Sequence, residues 1–199
     1  EIRLSLVGSE MCIRDRYLII WKLKLNMWLL MVLDSVATMP TNITQKYAIT
    51  NENTYTKSHI AIDVDSRLIL YSQAVRGPKH DTTFAIASIR SLKKHKPEYV
   101  IADKAYDTEK IRECINKEIK ASDQIPLKSN FRHGWYRRLS QKTFNKEIYS
   151  LRNNVESVFS VIKRKLNGNN KSKSTRLQNK ETRLKTTIYN ILQSIKIEK

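Results

Sequence analysis

Cysteine is nearly absent: the 199 residues hold two, Cys12 and Cys114. The first sixteen residues, EIRLSLVGSEMCIRDR, resemble the conceptual translation of a sequencing adapter, above all in the run SLVGSEMCIRDR. They are read as a non-native artefact and set apart from the fold. Cys114 then stands alone, which excludes a disulfide framework and a cysteine-based metal site and fits a reducing, cytoplasmic setting. Setting the segment aside leaves the net charge at +18, because Arg3, Arg14 and Arg16 balance Glu1, Glu10 and Asp15. Long apolar runs are missing too. The most apolar stretch, Tyr17 to Leu33, is interrupted by Lys22, Lys24 and Asn26, short of the roughly 18 uninterrupted residues a membrane helix needs. No signal peptide is expected, and no internal repeat is present.

Acids are the scarcer charge, 19 against 37 Lys and Arg. The imbalance is one-ended: from Lys128 to Lys199 there are 18 basic residues and four acids, so +14 of the +18 lies there. Such a segment suits a polyanion, most simply nucleic acid. A solvated basic tail, or a ribosomal or membrane surface, accounts for the charge equally well.

The chain reads as an α/β layer. Residues 17–30 carry no clear periodicity and fit a short helix. Trp28 to Leu33 (WLLMVL) is continuous and apolar, as in a strand buried on both faces. A polar loop spans Pro40 to Asn53. Lys57 to Val64 alternates as a strand, Asp65-Ser66 turns, and Arg67 to Val75 returns as a hairpin arm. Gly77-Pro78 breaks that arm, and Asp81 or Thr82 caps a helix to about His95. Glu98 to Ala102 is a short strand, and Asp107-Thr108 caps a helix to about Lys120. Gln124 to Leu127 forms another strand, and Lys128 to Gln141 is a basic, aromatic loop. One long helix runs from Phe144 to Leu166, with Gly168 as its stop. After a flexible link, a final amphipathic helix covers Glu181 to Ile197.

The long helix carries an unusual pattern. Ile148, Leu151, Val155, Phe159, Ile162 and Leu166 form a core-facing stripe. Beside it Tyr149, Arg152, Glu156 and Lys163 fall within roughly 60° of one another at about 100° per residue. A lone glutamate at the edge of a buried face, among cations that could hold a phosphate, is a candidate metal ligand. Asp34 and Asp103 each follow a buried strand, at the strand ends where ligands gather in open α/β sheets. Three crowded carboxylates repel unless a cation sits among them. Oxygen donors without a Cys or His quartet select Mg²⁺ or Mn²⁺, and a pair of such ions activates water and stabilises the leaving oxygen in phosphodiester displacement. Plainer roles compete: a turn for Asp34, a cap for Asp103, and an i, i−4 pair with Arg152 for Glu156. Asp63 also ends a strand and rivals Asp34. His80 and Asp81 are further candidates to line the site. Trp135 and Tyr136, set among Arg132, Arg137 and Arg138, fit stacking on an unpaired base beside phosphate contacts; core packing of Trp135 is the alternative.

On these residues the chain resembles the DDE-class insertion-sequence transposases. Tyr149, Arg152, Glu156 and Lys163 meet that family's pattern Y-x2-R-x3-E-x6-K in full. ADKAYD supplies a strand-end aspartate in a D-x-x-Y-D context, and VLDS an aspartate followed by Ser. KSHIAIDVDSRLIL and the RGPKHD turn extend the likeness over residues 28–167. The resemblance implies a ribonuclease-H-like mixed sheet flanked by helices, in the order β-β-β-α-β-α-β-α, plus a C-terminal helix. It implies Asp34, Asp103 and Glu156 as catalytic metal ligands for two Mg²⁺ or Mn²⁺ ions, with Arg152 and Lys163 on DNA phosphates and Tyr149 positioning the terminus. The activity implied is metal-dependent cleavage and strand transfer on element ends and target DNA, by a homodimer in a prokaryotic, nucleoid-associated cytoplasmic setting. A structure-specific nuclease or resolvase on the same fold, or an inactive DNA-binding remnant, are the alternatives. Residues 17–27 read as the remnant of an N-terminal region, 28–167 as the catalytic domain, and 168–199 as a basic linker with an amphipathic helix. Relatives usually carry an N-terminal helical region before the first strand, so an N-terminal truncation is expected.

Overall fold

The computed structural model describes residues 56–76, 80, 82–129 and 133–197, and the backbone of 30–38. The expected helix at 17–30, the loop at 40–53, the Gly77-Pro78 break, Asp81 and Arg132 lie outside these residues, as does the side chain of Asp34.

Five strands form one mixed sheet in the order β3-β2-β1-β4-β5. They are β1 (Leu30–Thr38), β2 (Thr56–Asp63), β3 (Ile69–Arg76), β4 (Tyr99–Ala102) and β5 (Ser122–Gln124). β1 to β3 run antiparallel as a meander, while β4 lies parallel to β1 and β5 parallel to β4. Helix α1 (Thr82–Ser91) crosses from β3 to β4. Helix α2 (Glu109–Glu113), continued by a wide turn to Ile119, crosses from β4 to β5. Helices α3 (Trp135–Thr143), α4 (Lys146–Ser150), α5 (Asn153–Leu166) and α6 (Thr175–Ile197) follow. This is the mixed sheet flanked by helices that the resemblance implies, with two helices more than the sequence pattern indicates: α3, and the division of the long helix into α4 and α5. Among the described residues no helix is long and apolar enough to cross a membrane.

The sheet is covered on both faces, which is why β2 is buried almost throughout. On one face Ala61, Val100 and Ala102 pack with Ala85, Ile89 and Leu92, with Ile111 of α2, and with Cys114 and Ile115 of the wide turn that continues it. On the other, Ile60, Ile62 and Ile101 meet Val155, Val158, Phe159 and Ile162 of α5 and Tyr189 of α6. Each fully buried Ile or Val contributes about 1.5–3 kcal/mol.

Several boundaries differ from the sequence reading. β1 runs on to Thr38 because residues 34–38 go on pairing with β2, so Asp34 lies within the strand and not after its end, and β5 spans Ser122–Gln124 in place of Gln124–Leu127. Residues 135–143 are helical, not loop. Gly134 (φ 146) starts that helix at a point where a Cβ would collide with the Glu109 carboxylate, and Glu109 Oε1 accepts from Tyr136 N at 2.8 Å. The long helix at 144–166 is broken. At Leu151 and Arg152 the N–H groups reach back three residues, to Ile148 O (3.2 Å) and Tyr149 O (3.0 Å), which tightens the chain between α4 and α5. Leu151 is left 38% exposed, off the buried stripe. α6 begins at Thr175, and the segment before it is folded, not free. Its anchor is Glu181, which accepts from Lys171 N and Ser172 N at 3.0 Å and pairs with Lys185 Nζ at 3.1 Å. α6 also covers the edge of β3, where the Asn190 amide bonds both Ile69 N (2.9 Å) and Ile69 O (2.8 Å).

Burial alone would raise the Glu181 pKa, but the Lys171 and Ser172 backbone N–H groups, the Ser172 hydroxyl and Lys185 outweigh it and hold it at about 2. A depressed carboxylate stabilises the fold above its unfolded pKa, here 4.5, and the contribution fades as pH falls toward 2. Glu181→Gln is therefore expected to lower stability by about 1 kcal/mol at pH 7. Urea unfolding should show the gap between variant and wild type closing from pH 4.5 downward; a gap constant over that range would contradict this role.

Candidate active site

The last register pair between the parallel strands β1 and β4 is Leu33–Ala102. Asp34 and Asp103 are the next residues on each strand, so their backbones leave that pair side by side, at a strand separation of about 4.8 Å. Position 34 also pairs across the antiparallel ladder with Ile60, a residue of the α5-facing core. Ile101 belongs to the same face, and Asp103, two residues on and still extended (φ −67, ψ 160), keeps that alternation. Asp103 is half-buried and its carboxylate accepts from Lys104 N at 2.7 Å, opening the short turn Lys104–Tyr106.

Glu156 stands in the first turn of α5, one residue past Val155, which is fully buried. Its carboxylate is 57% exposed and pairs with Arg152 Nη2 at 2.8 Å. The simpler roles foreseen for Asp103 and Glu156, cap and i, i+4 partner, are thus both present. Neither is a buried commitment. Among the described residues no group of three or more His, Cys, Asp or Glu side chains is gathered as a metal site.

Asp63 is placed differently. It is 2% exposed and pairs with Met31 on β1, three residues and so roughly 10 Å along the strand from Asp34. Its Oδ2 accepts from Ser66 N (3.0 Å) and from the Ser66 hydroxyl, fixing the β2–β3 turn, and its Oδ1 is buried without a hydrogen-bond partner. Burial and the Asp63 charge together raise the pKa of Asp65. His80 is exposed, and its carbonyl accepts from Thr83 N at 3.1 Å.

The basic residues divide into two kinds. Lys163 and Arg138 are exposed, and Trp135 is 74% exposed, not packed in the core. Tyr149 is half-buried, its ring 5.6 Å from that of Phe144. Arg137 is turned inward: its Nε donates to Asp107 Oδ1 at 3.0 Å and its Nη2 to Asp107 O at 2.9 Å. Asp107 belongs to a buried cluster that the sequence reading did not single out. Arg112, 0% exposed, donates from Nε to Asp107 Oδ1 (3.0 Å), from Nη1 to Asp123 Oδ2 and Ser140 Oγ, and from Nη2 to Ile125 O (2.9 Å). Burial would raise the Asp107 pKa, yet the Lys128 backbone N–H, Arg112 and Arg137 together bring it below the ordinary carboxylate value. The only sequence signal was the second aspartate of ADKAYD, which reads locally as a helix cap; Thr108 does the capping, accepting from Ile111 N.

The profile of the family described as "Transposase DDE domain" matches residues 34–191, opening on Asp34 and running through α5 into α6. The chain belongs to that family. It is accordingly a DNA-cleaving and transesterifying enzyme domain of the DDE class, whose members use divalent metal ions. Among solved structures the chain is similar to the catalytic domain of Mos1 mariner transposase (11% identity, 79% of this chain and 92% of that one, TM-score 0.37). It is also similar to a Mos1 transposase catalytic domain with Raltegravir and Mg (12% identity, 71% and 87%, TM-score 0.35). The family assignment rests on the sequence match, not on these distant likenesses. No curated protein matches the chain.

Because Asp63 is consumed by its turn, Asp63→Asn is expected to destabilise by about 1–2 kcal/mol, seen in thermal unfolding. Strand nicking per folded molecule should stay within about twofold of wild type. A nicking rate abolished in a folded Asp63→Asn protein would move the first carboxylate from Asp34 to Asp63.

Proposed function

We propose that Asp34, Asp103 and Glu156 are the carboxylates of this transposase domain and that together they hold two Mg²⁺ or Mn²⁺ ions. The observation that supports this most is the β1–β4 register: positions 34 and 103 are neighbours, on the sheet face against which α5 lays the turn carrying Glu156. The donor set fits, being all hard oxygen. Glu156 is also free to turn, because an exposed i, i+4 pair with Arg152 is worth only about 0.3–0.5 kcal/mol. Bound there, the ions would lower the pKa of the attacking water or hydroxyl and neutralise the leaving oxygen.

The chain's own residues then account for the positioning. Arg152 and Lys163, on the same side of α5 as Glu156, hold the phosphates beside the scissile bond and spread the charge of the in-line transition state. Tyr149, braced by Phe144, sets the terminus. Trp135 and Arg138, exposed on α3, contact an unpaired base and its phosphate. In the first step a water oxygen bonds to phosphorus at the element end, and the released 3′ oxygen takes a proton. In the second that 3′-hydroxyl attacks a target phosphodiester, which joins element to target and frees a target 3′-hydroxyl. Two element ends call for two copies of the catalytic centre, so the working unit is read as a homodimer on chromosomal DNA in the cytoplasm of a prokaryote.

A nuclease or resolvase on the same fold would stop after the first step, and labelled 3′ ends separate the two because joined products need strand transfer. Asp103→Ala and Glu156→Ala should each reduce Mg²⁺-dependent nicking by at least about 10³-fold while metal-free DNA binding persists. A rate left unchanged by either variant would remove that residue from the site. Salt-sensitive binding by a wild-type chain that never cleaves would indicate a DNA-binding remnant.

A further inference from the structure

We infer that Asp107 and Arg137 are positioning residues for strand cleavage, coupling the turn that carries Asp103 to the helix that meets DNA. This rests on the reading of Asp103 as a metal-binding carboxylate.

Asp103 and Asp107 are the two ends of one tight turn. Tyr106 N donates to Asp103 O at 2.9 Å and Asp107 N to Lys104 O at 3.2 Å, while the Tyr106 ring, 3% exposed, is sunk in the core. A shift at Asp107 therefore reaches Asp103 through four residues with little slack. Asp107 is held from three directions at once: Arg112 Nε and Arg137 Nε on Oδ1, both at 3.0 Å, and Lys128 N on Oδ2 at 2.8 Å. Arg137 adds a second grip, on the Asp107 carbonyl. An ion pair that served stability alone would need only the carboxylate. This guanidinium fork clasps side chain and main chain of the same residue, which fixes its orientation as well as its charge.

The other end of the clasp is α3. Its N-terminus is held independently through Tyr136 N on Glu109, and Glu109 follows Asp107 by two residues. Its inner side spends Arg137 and Ser140 on the buried cluster. Its outer side presents Trp135, Arg138, Leu139 and Lys142, all exposed and spaced i, i+3, i+4, i+7. This aromatic and basic stripe is thus bolted to the Asp103 turn by contacts from both Asp107 and Glu109. A nucleic-acid strand held on the stripe is registered against Asp103 by the helix beneath it.

The test is Arg137→Met, with Arg137→Gln as the second variant should Met impair folding by circular dichroism. At saturating DNA, Mg²⁺-dependent nicking is expected to fall by at least tenfold, toward the roughly 10²-fold that small misplacements cost, with a raised half-saturating Mg²⁺. Metal-free affinity for the same duplex should stay within about twofold and its salt slope should be unchanged; a direct phosphate contact would lower that slope by about 0.9. Arg137→Lys, which keeps the charge without the fork, should recover only part of the rate. Amide exchange gives a readout independent of activity: in the Met variant it should quicken in both 104–108 and α3, and not in α6. Unimpaired nicking at saturation, a loss explained wholly by affinity, full rescue by Lys, or loosening of α3 without the 104–108 turn would each overturn the coupling. A wild-type chain that does not nick would overturn the functional reading instead, before any variant is compared.

Discussion

A guanidinium with no access to water must be neutralised and hydrogen-bonded, or the fold around it fails. Arg112 is in that position, and four of its five N–H groups find acceptors: Asp107, Asp123, Ser140 and the Ile125 carbonyl. Desolvating each of these ions costs several kcal/mol, so the cluster is weak evidence of net stabilisation. Its value is geometric. Arg112 belongs to α2, Asp123 to β5, Ser140 to α3 and Asp107 to the turn after β4, so one side chain sets four elements relative to one another. Arg137 completes the balance of two cations against two anions around Asp107.

The proposed carboxylates contrast with that arrangement. Asp107, Asp123 and Asp63 are buried and bound by the fold, and none of them can release its partners cheaply. Asp103 and Glu156 sit where the fold asks little of them: one holds a single adjacent N–H, the other, itself largely in solvent, an arginine one turn back. A residue destined for a cation or a phosphodiester needs this kind of light restraint, because each partner lost on binding must be replaced. The sheet supplies precision through the backbone instead. Parallel pairing of β1 with β4 sets positions 34 and 103 side by side whatever their side chains do.

The strands were legible because their burial pattern is local: KSHIAIDV and YVIA declare themselves by alternation or by unbroken apolarity. The signature Y-x2-R-x3-E-x6-K was legible as well, although a continuous helix through it was not the outcome. Asn153 and Asn154 are poor helix formers, and the chain tightens just ahead of them, which moves Leu151 out of the stripe. α3 escaped for a different reason. KSNFRHGWYRRLSQ has no buried apolar stripe to announce a helix, and what holds it as one lies elsewhere in the chain: Glu109 at its N-terminus, Asp107 and Arg112 beneath it. The start of α6 was hidden in the same way, since Glu181 anchors residues ten and nine positions before it.

Counting charge therefore misjudges the surface in a specific way. Composition assigns +14 to residues 128–199, as though every cation there faced solvent. Arg137 does not, and Lys185 leans on Glu181 and the Asn169 carbonyl. Among the many that remain exposed are Arg138 and Lys142 on α3 and Lys163, Arg164 and Lys165 on the last turns of α5. These two groups relate to the Asp103 turn by different routes, one fastened to it through Asp107, the other carried by the helix of Glu156. Long-range attraction for a polyanion follows from the sum of such charges and is screened beyond about 8–10 Å. Placement of a phosphodiester follows from how rigidly their helices are held. A buried, electrically neutral cluster adds nothing to the first and governs the second.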